Sequence, residues 1–403
     1  MNGREPCVLT INAGSSSIKF AVYKVGSVPA RILVGKVDRI GLSGTRMEVL
    51  FEGANAPQRG PFPAPDRHRA VARLVDWIEL QPSIGSVKAV GHRVVHGMNH
   101  TQPERITPAL LVKLRQIVPF APEHLPIEIE LMDAFRERCP SLPQVACFDT
   151  SFHRTMPKVA KLLPIPRRYT GHGVERYGFH GLAYQHLMDE LRRLGDRSAS
   201  KGRVILAHLG NGASMAAVLN GRSVDTTMGL TPAGGLVMGT RTGDLDPGVL
   251  LFLTRKWRLP PGKLARMVNH ESGLLGVSDS SPDMRDLLRK ESRDPRAAEA
   301  VDLFCQQARK WVGSLAAVLG GVDTLVFSGG IGENSPVVRA RICAGLGFLG
   351  VRLDARKNVT NAPLISPPSS RLRVRVIKAD EEAVIARSVI LKLRLAPGRR
   401  KKP

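Results

Sequence analysis

Three times along this chain a short apolar run ends in a turn rich in glycine or serine: VLTINAGSSS at 8–17, VILAHLGNGAS at 204–214 and LVFSGGIGEN at 325–334. A strand-to-turn unit that recurs at such distances points to a fold assembled from related halves. In the first two, another apolar strand follows the turn, at 18–25 and 215–219, so each reads as a hairpin whose tip offers backbone N–H and hydroxyl donors to an anion. In the third, strand, glycine turn and helix follow one another. That order suits phosphate or nucleoside binding and equally fits an ordinary strand-to-helix connection.

Around these units apolar residues recur at three- and four-residue steps in 69–80, 126–138, 184–194, 297–318 and 381–393, the period of helices with one buried face. Alternating strands and helices predict α/β layers with mixed sheets, and give no support for a bundle, a sandwich or a short-period repeat. A chain of 403 residues with 43% hydrophobic content has length for two domains. The first half is expected to end after FDTS at 148–151, which gives domains at 1–151 and 152–377. The last helix, within 378–403, returns to complete the first domain. The stretch PLISPPSS at 363–370 is a loop by composition.

The net charge of +24 raises the question of a nucleic-acid partner. Its distribution argues against one. Arginines are spread along the whole length, aromatic residues make up 5%, and no basic stripe alternates with stacking rings. The single cluster, RRKK at 399–402, follows Pro397-Gly398 and reads as a solvated end. The positive field would instead draw in small anionic substrates. Five scattered cysteines (Cys7, Cys139, Cys147, Cys305, Cys343) lack the spacing of a zinc site or a secreted disulfide framework, which suits a reducing cytoplasm. No apolar run is long enough to span a bilayer, so a soluble, cytoplasmic protein is expected.

The segment VMGTRTGDLDP at 237–247 is too polar for a core. Arg241 carries a fixed positive fork, Asp244 and Asp246 can hold it or a metal, and Gly239 and Gly243 would let a charged substrate approach the backbone. An Arg-Asp pair locking a loop is the competing reading.

These features fall among eight motifs: NAGSSSIK at 12–19, GHRVVHG at 91–97, FDTSFH at 148–153, YGFHG at 177–181, HLGNG at 208–212, 238–247, DMR at 283–285 and GIGEN at 330–334. In this order they resemble the acetate and butyrate kinase family, within the actin, sugar kinase and heat-shock ATPase fold, and the resemblance covers nearly the whole chain. It implies two duplicated ribonuclease-H-like (actin-like ATPase) domains with a nucleotide cleft between them, and a homodimer. The implied reaction is reversible in-line transfer of the ATP γ-phosphoryl group to acetate, giving acetyl phosphate and ADP. Propionate, butyrate or another small acid is the alternative acceptor, and an ATP-driven binding protein of the heat-shock or actin type is the alternative of another class.

A carboxylate is already a nucleophile at neutral pH, so the chemistry asks for alignment and charge neutralisation and needs no strong base. The resemblance makes Arg93 the carboxylate clamp, with Val95 and Pro232 as apolar wall, and Arg241 the stabiliser of the transferring group. It makes His180 a donor to a phosphoryl oxygen and Asp149 the acid that orients Arg241 or the metal. On sequence alone Arg93 reads more readily as a surface ion-pair residue, and His180 as a satisfied core histidine. Asn12 and Glu381 are the transferred ligands of Mg²⁺ (or Mn²⁺). Ser15, Ser17 and Lys19 would surround phosphate from the first hairpin, and His208, Leu209, Gly210, Asn211 and Gly212 from the second. Asp283, Met284 and Arg285, with Gly330, Ile331, Gly332, Glu333 and Asn334, would hold ribose and adenine. Two departures stand out. Glu123, in APEHLP at 121–126, replaces an apolar residue expected to wall the acyl pocket, and Ala379 replaces a common threonine before Asp380-Glu381.

Overall fold

Strand β1 (Pro6–Ala13) organises the first of two sheets, because its apolar run is buried from Cys7 to Ile11 and leaves only its ends for solvent. The computed structural model describes residues 5–14, 17–41, 43–195 and 201–395. Ser15 and the basic run at 399–402 lie outside the described residues. β1 pairs antiparallel with β2 (Ser17–Lys24), which pairs antiparallel with β3 (Ala30–Asp38). Strands β4 (Arg46–Phe51) and β5 (Gln58–Pro61) extend that edge. On its other side β1 runs parallel to β6 (Ser86–Val94), and β6 runs parallel to β8 (Gln144–Phe148), with the two-residue β7 (Glu104–Arg105) beyond. The order among the described residues is β5-β4-β3-β2-β1-β6-β8-β7.

Helices cover this sheet where the sequence shows helical periodicity. Helix α1 (Arg67–Glu79) is capped by Asp66, whose side chain accepts from the Arg69 N–H, and it buries Ala70, Val71, Leu74, Val75 and Ile78. Helix α2 (Pro108–Gln116) is capped by Thr107 with proline at its first position. Helix α3 (Leu125–Arg138) buries Leu125, Ile129, Leu131, Met132, Ala134 and Phe135, and also an acid, Glu128. The C-terminal helix, Glu381–Leu393, lies on β1 and β6, with Ile385 and Val389 meeting the backbone at Gly91.

The second sheet repeats the central plan of the first. Strands β9 (Arg203–Leu209), β10 (Ala213–Leu219) and β11 (Arg222–Thr226) form an antiparallel meander, and β9 runs parallel to β12 (Thr324–Ser328), which runs parallel to β13 (Arg373–Val376). Its order, β11-β10-β9-β12-β13, matches β3-β2-β1-β6-β8 in both sequence and direction of pairing. The duplication expected from the repeated strand-to-turn unit is thus visible strand for strand. Helices α4 (Gly181–Arg193), α5 (Pro247–Trp257), α6 (Pro261–His270), α7 (Met284–Lys290), α8 (Pro295–Leu319) and α9 (Gly329–Asn334) accompany this sheet. The longest, α8, is capped by Asp294 at its start and by Gly320 in the left-handed region at its end.

The chain divides into two compact units, one formed by the chain up to Ser151 together with the segment from Asp380 onward, the other by Phe152–Ala379. All five cysteines are free, and four of them are buried. Among the described residues no helix is long and apolar enough to cross a membrane.

Candidate active site

In the first unit the parallel strands β1, β6 and β8 end side by side, and each delivers a polar residue near its C-terminal end, where ligands commonly bind in α/β sheets. β1 carries Asn12, β6 carries Arg93 and the turn after β8 begins with Asp149. The pleat sends Arg93 to the face opposite His92, whose ring is 2% exposed and packs edge-on against Phe135 at 5.5 Å. Arg93 donates to Asp149 Oδ2 at 2.5 Å and to Asn12 Oδ1 at 3.2 Å, and its Nε lies 3.4 Å from Glu381 Oε2. Asn12 Nδ2 donates in turn to Glu381 at 3.3 Å. Asp149 is fully buried. Burial works to lower the Arg93 pKa, but the charges of Asp149 and Glu381 outweigh it and hold it above the ordinary arginine value.

Glu381 opens the C-terminal helix, and its neighbour Asp380 fixes that end. Asp380 accepts from the Ala383 N–H at 2.9 Å, from Tyr23 Oη at 3.1 Å and from Arg31 at 3.4 Å. This anchoring uses residues of β2 and β3, and Ala379 takes no side-chain part in it. Val95 is buried just past the end of β6, Ser17 sits at the first hairpin and Lys19 is exposed on β2.

In the second unit the hairpin between β9 and β10 turns through Gly210–Asn211–Gly212, closed by the Gly210 N–H donating to the Gly212 carbonyl at 3.0 Å. His180 stands over it. His180 begins α4 with φ 58° and ψ 25°, a left-handed conformation that a non-glycine residue adopts at a cost and that is met often at functional sites. Its Nδ1 is 2.8 Å from Ser214 Oγ, which is 2.5 Å from Tyr184 Oη, and its ring centroid is 4.8 Å from that of His208. A Cβ placed on Gly212 would lie 3.4 Å from His180 Nε2 and 3.7 Å from Arg241 Nη1, so both cationic or donor groups flank the same turn. Arg241 Nη1 donates to the Pro232 carbonyl at 3.1 Å. Another histidine of the motifs, His153, is buried between Ser223 and the Phe179 carbonyl, and burial lowers its pKa to about 4. It is a structural residue.

The segment 237–247 differs from expectation in what its other residues do. Asp244 accepts from the Gly235 N–H at 2.8 Å, and Asp246 accepts from the Gly248 N–H at 2.8 Å as the cap of α5. These are backbone-fixing roles, so the two acids shape the loop that carries Arg241. At Gly239 a Cβ would fall 2.0 Å from Asn211 Oδ1, and Gly243, at φ +71°, is crowded by the Leu236 carbonyl. The first accommodates the β9–β10 hairpin and the second the backbone just before the loop.

A cavity of about 770 Å³ opens in the second unit, a size that suits a nucleoside. Its walls include Gly210, Asn211, Asp283, Met284, Arg285, Gly330, Ile331 and Asn334, which brings together the second hairpin, the DMR motif and the third glycine turn. Met284, Leu288, Ile331 and Val337 supply apolar surface, while Asp283 and Arg285, paired at 2.6 Å, supply polar groups at one side. Five expected nucleotide residues of this unit stand apart from this wall, among them Gly212, which lies beside His180 and Arg241. Leu209 is buried in the sheet, and Gly332 packs on Phe327. Glu333 braces the turn by accepting from the Gly329 N–H at 2.8 Å and the Ala379 N–H at 3.1 Å, and His208 stacks near His180. Sequence reading missed Pro282, Leu288, Ser335, Pro336 and Val337, which the cavity adds.

The model of the Acetokinase family matches residues 7–387. The chain belongs to the acetokinase family. It is 43% identical over 399 residues to an acetate kinase of Rhodopseudomonas palustris (strain ATCC BAA-98 / CGA009), covering 98% of this chain and 99% of the relative. It is 39% identical over 390 residues to a propionate kinase of Citrobacter rodentium, covering 95% and 96%. Among solved structures, Porphyromonas gingivalis acetate kinase superposes with a TM-score of 0.86 at 35% identity, covering 96% of this chain and 100% of that one. A propionate kinase from Francisella tularensis gives 0.89 at 33%, covering 95% and 98%. The fold is accordingly that of the actin-like ATPases.

Against the acetokinase pattern the stretch 121–126 has a clearer reading in three dimensions. Glu123 is exposed, whereas Glu128, five residues on, is buried and meets the Val95 N–H through both carboxyl oxygens at 3.2 and 3.1 Å. Burial pushes the Glu128 carboxyl up to about 8, against the nearby Arg93 charge and the Val95 hydrogen bond, which lower it. The sequence held a signal for this residue: an acid at 128 interrupts the apolar stripe 125, 129, 132, 135 of a helix.

Proposed function

We propose that the chain is an acetate kinase, transferring the γ-phosphoryl group of ATP reversibly to acetate to give acetyl phosphate and ADP. The observation that carries this reading is Arg93, a guanidinium gathered with Asn12, Asp149 and Glu381 at the ends of parallel strands. A nucleotide switch has no use for a fork-shaped cation beside a small apolar residue such as Val95. A carboxylate acceptor does, because the fork fixes its two oxygens and still leaves a lone pair on each for attack. In the second unit Arg241 and His180 flank the Gly212 turn and would neutralise charge on the transferring group. If Tyr184 donates to Ser214 and Ser214 to His180 Nδ1, the ring proton sits on Nε2, the nitrogen nearest the turn.

Asn12, Glu381 and neighbouring carboxylate oxygens are hard donors of the kind a magnesium or manganese ion takes, and Asn12 and Glu381 would hold it. Bound there, the ion would screen the nucleotide phosphates. The 770 Å³ cavity would take the nucleoside of ATP. Ser17 and Lys19 would meet phosphate. Propionate kinase is the second reading, favoured by the 39% identical relative of that name. The test is acyl phosphate trapped with hydroxylamine over a series of acids from acetate to butyrate. Carboxylate-dependent hydroxamate and ADP are expected, with the best acid naming the substrate; ADP release unaffected by every acid would sink the reading.

We also propose a homodimer. Helices α5 and α6 carry no buried residue, and Leu251, Phe252 and Trp257 are 56%, 56% and 61% exposed. Such an apolar surface calls for a partner, and a second copy is the simplest. The double substitution Phe252→Glu and Trp257→Glu is expected to convert a dimer into a monomer in light-scattering measurements. An unchanged mass would place the interface elsewhere.

A further inference from the structure

We propose that Glu128 is a positioning residue for acid binding: as a buried acceptor for the Val95 N–H, it fixes the end of β6 that presents Arg93 and Val95. This rests on Arg93 being the carboxylate clamp. Val94 is the last β6 residue paired with β8, so the Val95 N–H lies beyond the ladder, in a place closed to water. Glu128 is 3% exposed and takes that N–H. An apolar residue on the α3 stripe would leave the donor orphaned, which is more costly than the hydrogen bond is strong. Two residues earlier, the same stretch of backbone sets where the Arg93 guanidinium begins.

Charge gives the second half of the argument. Arg93 already faces Asp149 and Glu381. A third anion would weaken the field that an incoming carboxylate needs, so the acceptor serves best when neutral. The charged groups that act on Glu128 are Arg93 from β6 and Asp149 from the turn after β8, while His92 and His96, on the same stretch as Val95, pack against Phe135 and Phe120. His92 is held neutral by burial, with a pKa of about 4. On the neighbouring helices Arg67 is engaged by Glu130 and Arg115 by Asp133. With the Glu128 carboxyl pushed up to about 8, it is protonated at neutral pH and ionises in mild alkali. Acid binding should then weaken as pH rises through that value.

The experiment compares Glu128→Leu and Glu128→Gln with the unmodified protein. Glu128→Leu, which removes the acceptor, is expected to raise KM for the acid about tenfold or more while KM for ATP stays nearly constant. Glu128→Gln, which keeps an uncharged acceptor, should recover most of that loss. The unmodified protein should show an acid KM that climbs between pH 7 and 9, and Glu128→Gln a flat one. A parallel rise in both KM values, failure of Gln to recover the acid KM, or the same pH profile in both proteins would overturn the proposal.

Melting temperature supplies a readout independent of turnover. A carboxyl whose pKa is raised by folding holds a proton that the unfolded chain has already lost. Its contribution is therefore complete below the unfolded value and declines as pH rises towards the folded one. The unmodified protein should lose melting temperature relative to Glu128→Gln between pH 6 and 8. Equal pH dependence of the two would exclude a neutral Glu128 whatever the enzyme's substrate. Absence of acid-dependent turnover in the unmodified protein, by contrast, would fault the kinase reading and with it the link to acid binding.

Discussion

Arg241→Ala is expected to lower kcat by about a hundredfold or more, the scale on which enzymes lose rate when one preorganised donor to developing charge is removed. The transferring phosphoryl group spreads its negative charge over three oxygens and leaves the protein little covalent chemistry to do. Arg241 stands beside the Gly212 turn, its Nη1 set by the Pro232 carbonyl, on a loop that Asp244 and Asp246 hold by backbone hydrogen bonds. A donor fixed before the reaction spends no reorganisation during it. Because the contact strengthens in the transition state, kcat and kcat/KM should fall together, with KM for the acid moving little. Arg241→Lys should recover only part of the rate, since a point charge cannot reproduce the planar fork. Steady-state kinetics on folded Arg241→Ala protein decide the matter, and a kcat close to that of the unmodified chain would remove Arg241 from the transition state.

What the sequence made legible follows from the range of the interactions involved. The hairpins at 8–25 and 204–219 and the long helices show as local periodicity, and the structure has them at β1–β2, β9–β10, α1, α3, α4, α8 and the C-terminal helix. The duplication was legible because one strand-to-turn unit recurs, and the two sheets repeat it strand for strand. The edge strands β4 and β5 left little trace, since β5 is exposed throughout and has no apolar alternation. Helix α5 shows the opposite failure. Its run VLLFL has the composition of a core, yet none of its residues is buried, because composition cannot tell one apolar surface from another.

At the site, local signals and tertiary ones separate in the same way. Asp246 followed by Pro247 is a helix start that sequence alone could have assigned, with a cap and a proline at the first position, in place of a metal or arginine partner. The brace from Glu333 to the Ala379 N–H joins residues 46 positions apart, and no spacing rule reaches it. The same holds for Arg93 and Asp149, whose separation of 56 positions collapses to 2.5 Å only when β6 and β8 pair in register.

Arg93 provides the other large effect, and its signature differs from that of Arg241. Arg93→Met is expected to raise KM for the acid by about a hundredfold, because a forked charge-assisted contact to a carboxylate contributes on the order of 3 kcal/mol. It should also destabilise the fold by about 3–5 kcal/mol, the cost of removing one partner from a buried ion pair, since fully buried Asp149 would be left without its guanidinium. Loss of stability and loss of binding must therefore be separated. The double substitution Arg93→Met with Asp149→Asn removes both charges, so the melting temperature should recover much of what the single change costs. Binding of the acid should not recover, because nothing then holds its carboxylate. Calorimetric melting and the acid KM, measured on the same three proteins, distinguish a clamp from a structural ion pair. If Arg93→Met, assayed well below its melting temperature, binds the acid as tightly as the unmodified protein, Arg93 only holds the strand ends together and the carboxylate is gripped elsewhere.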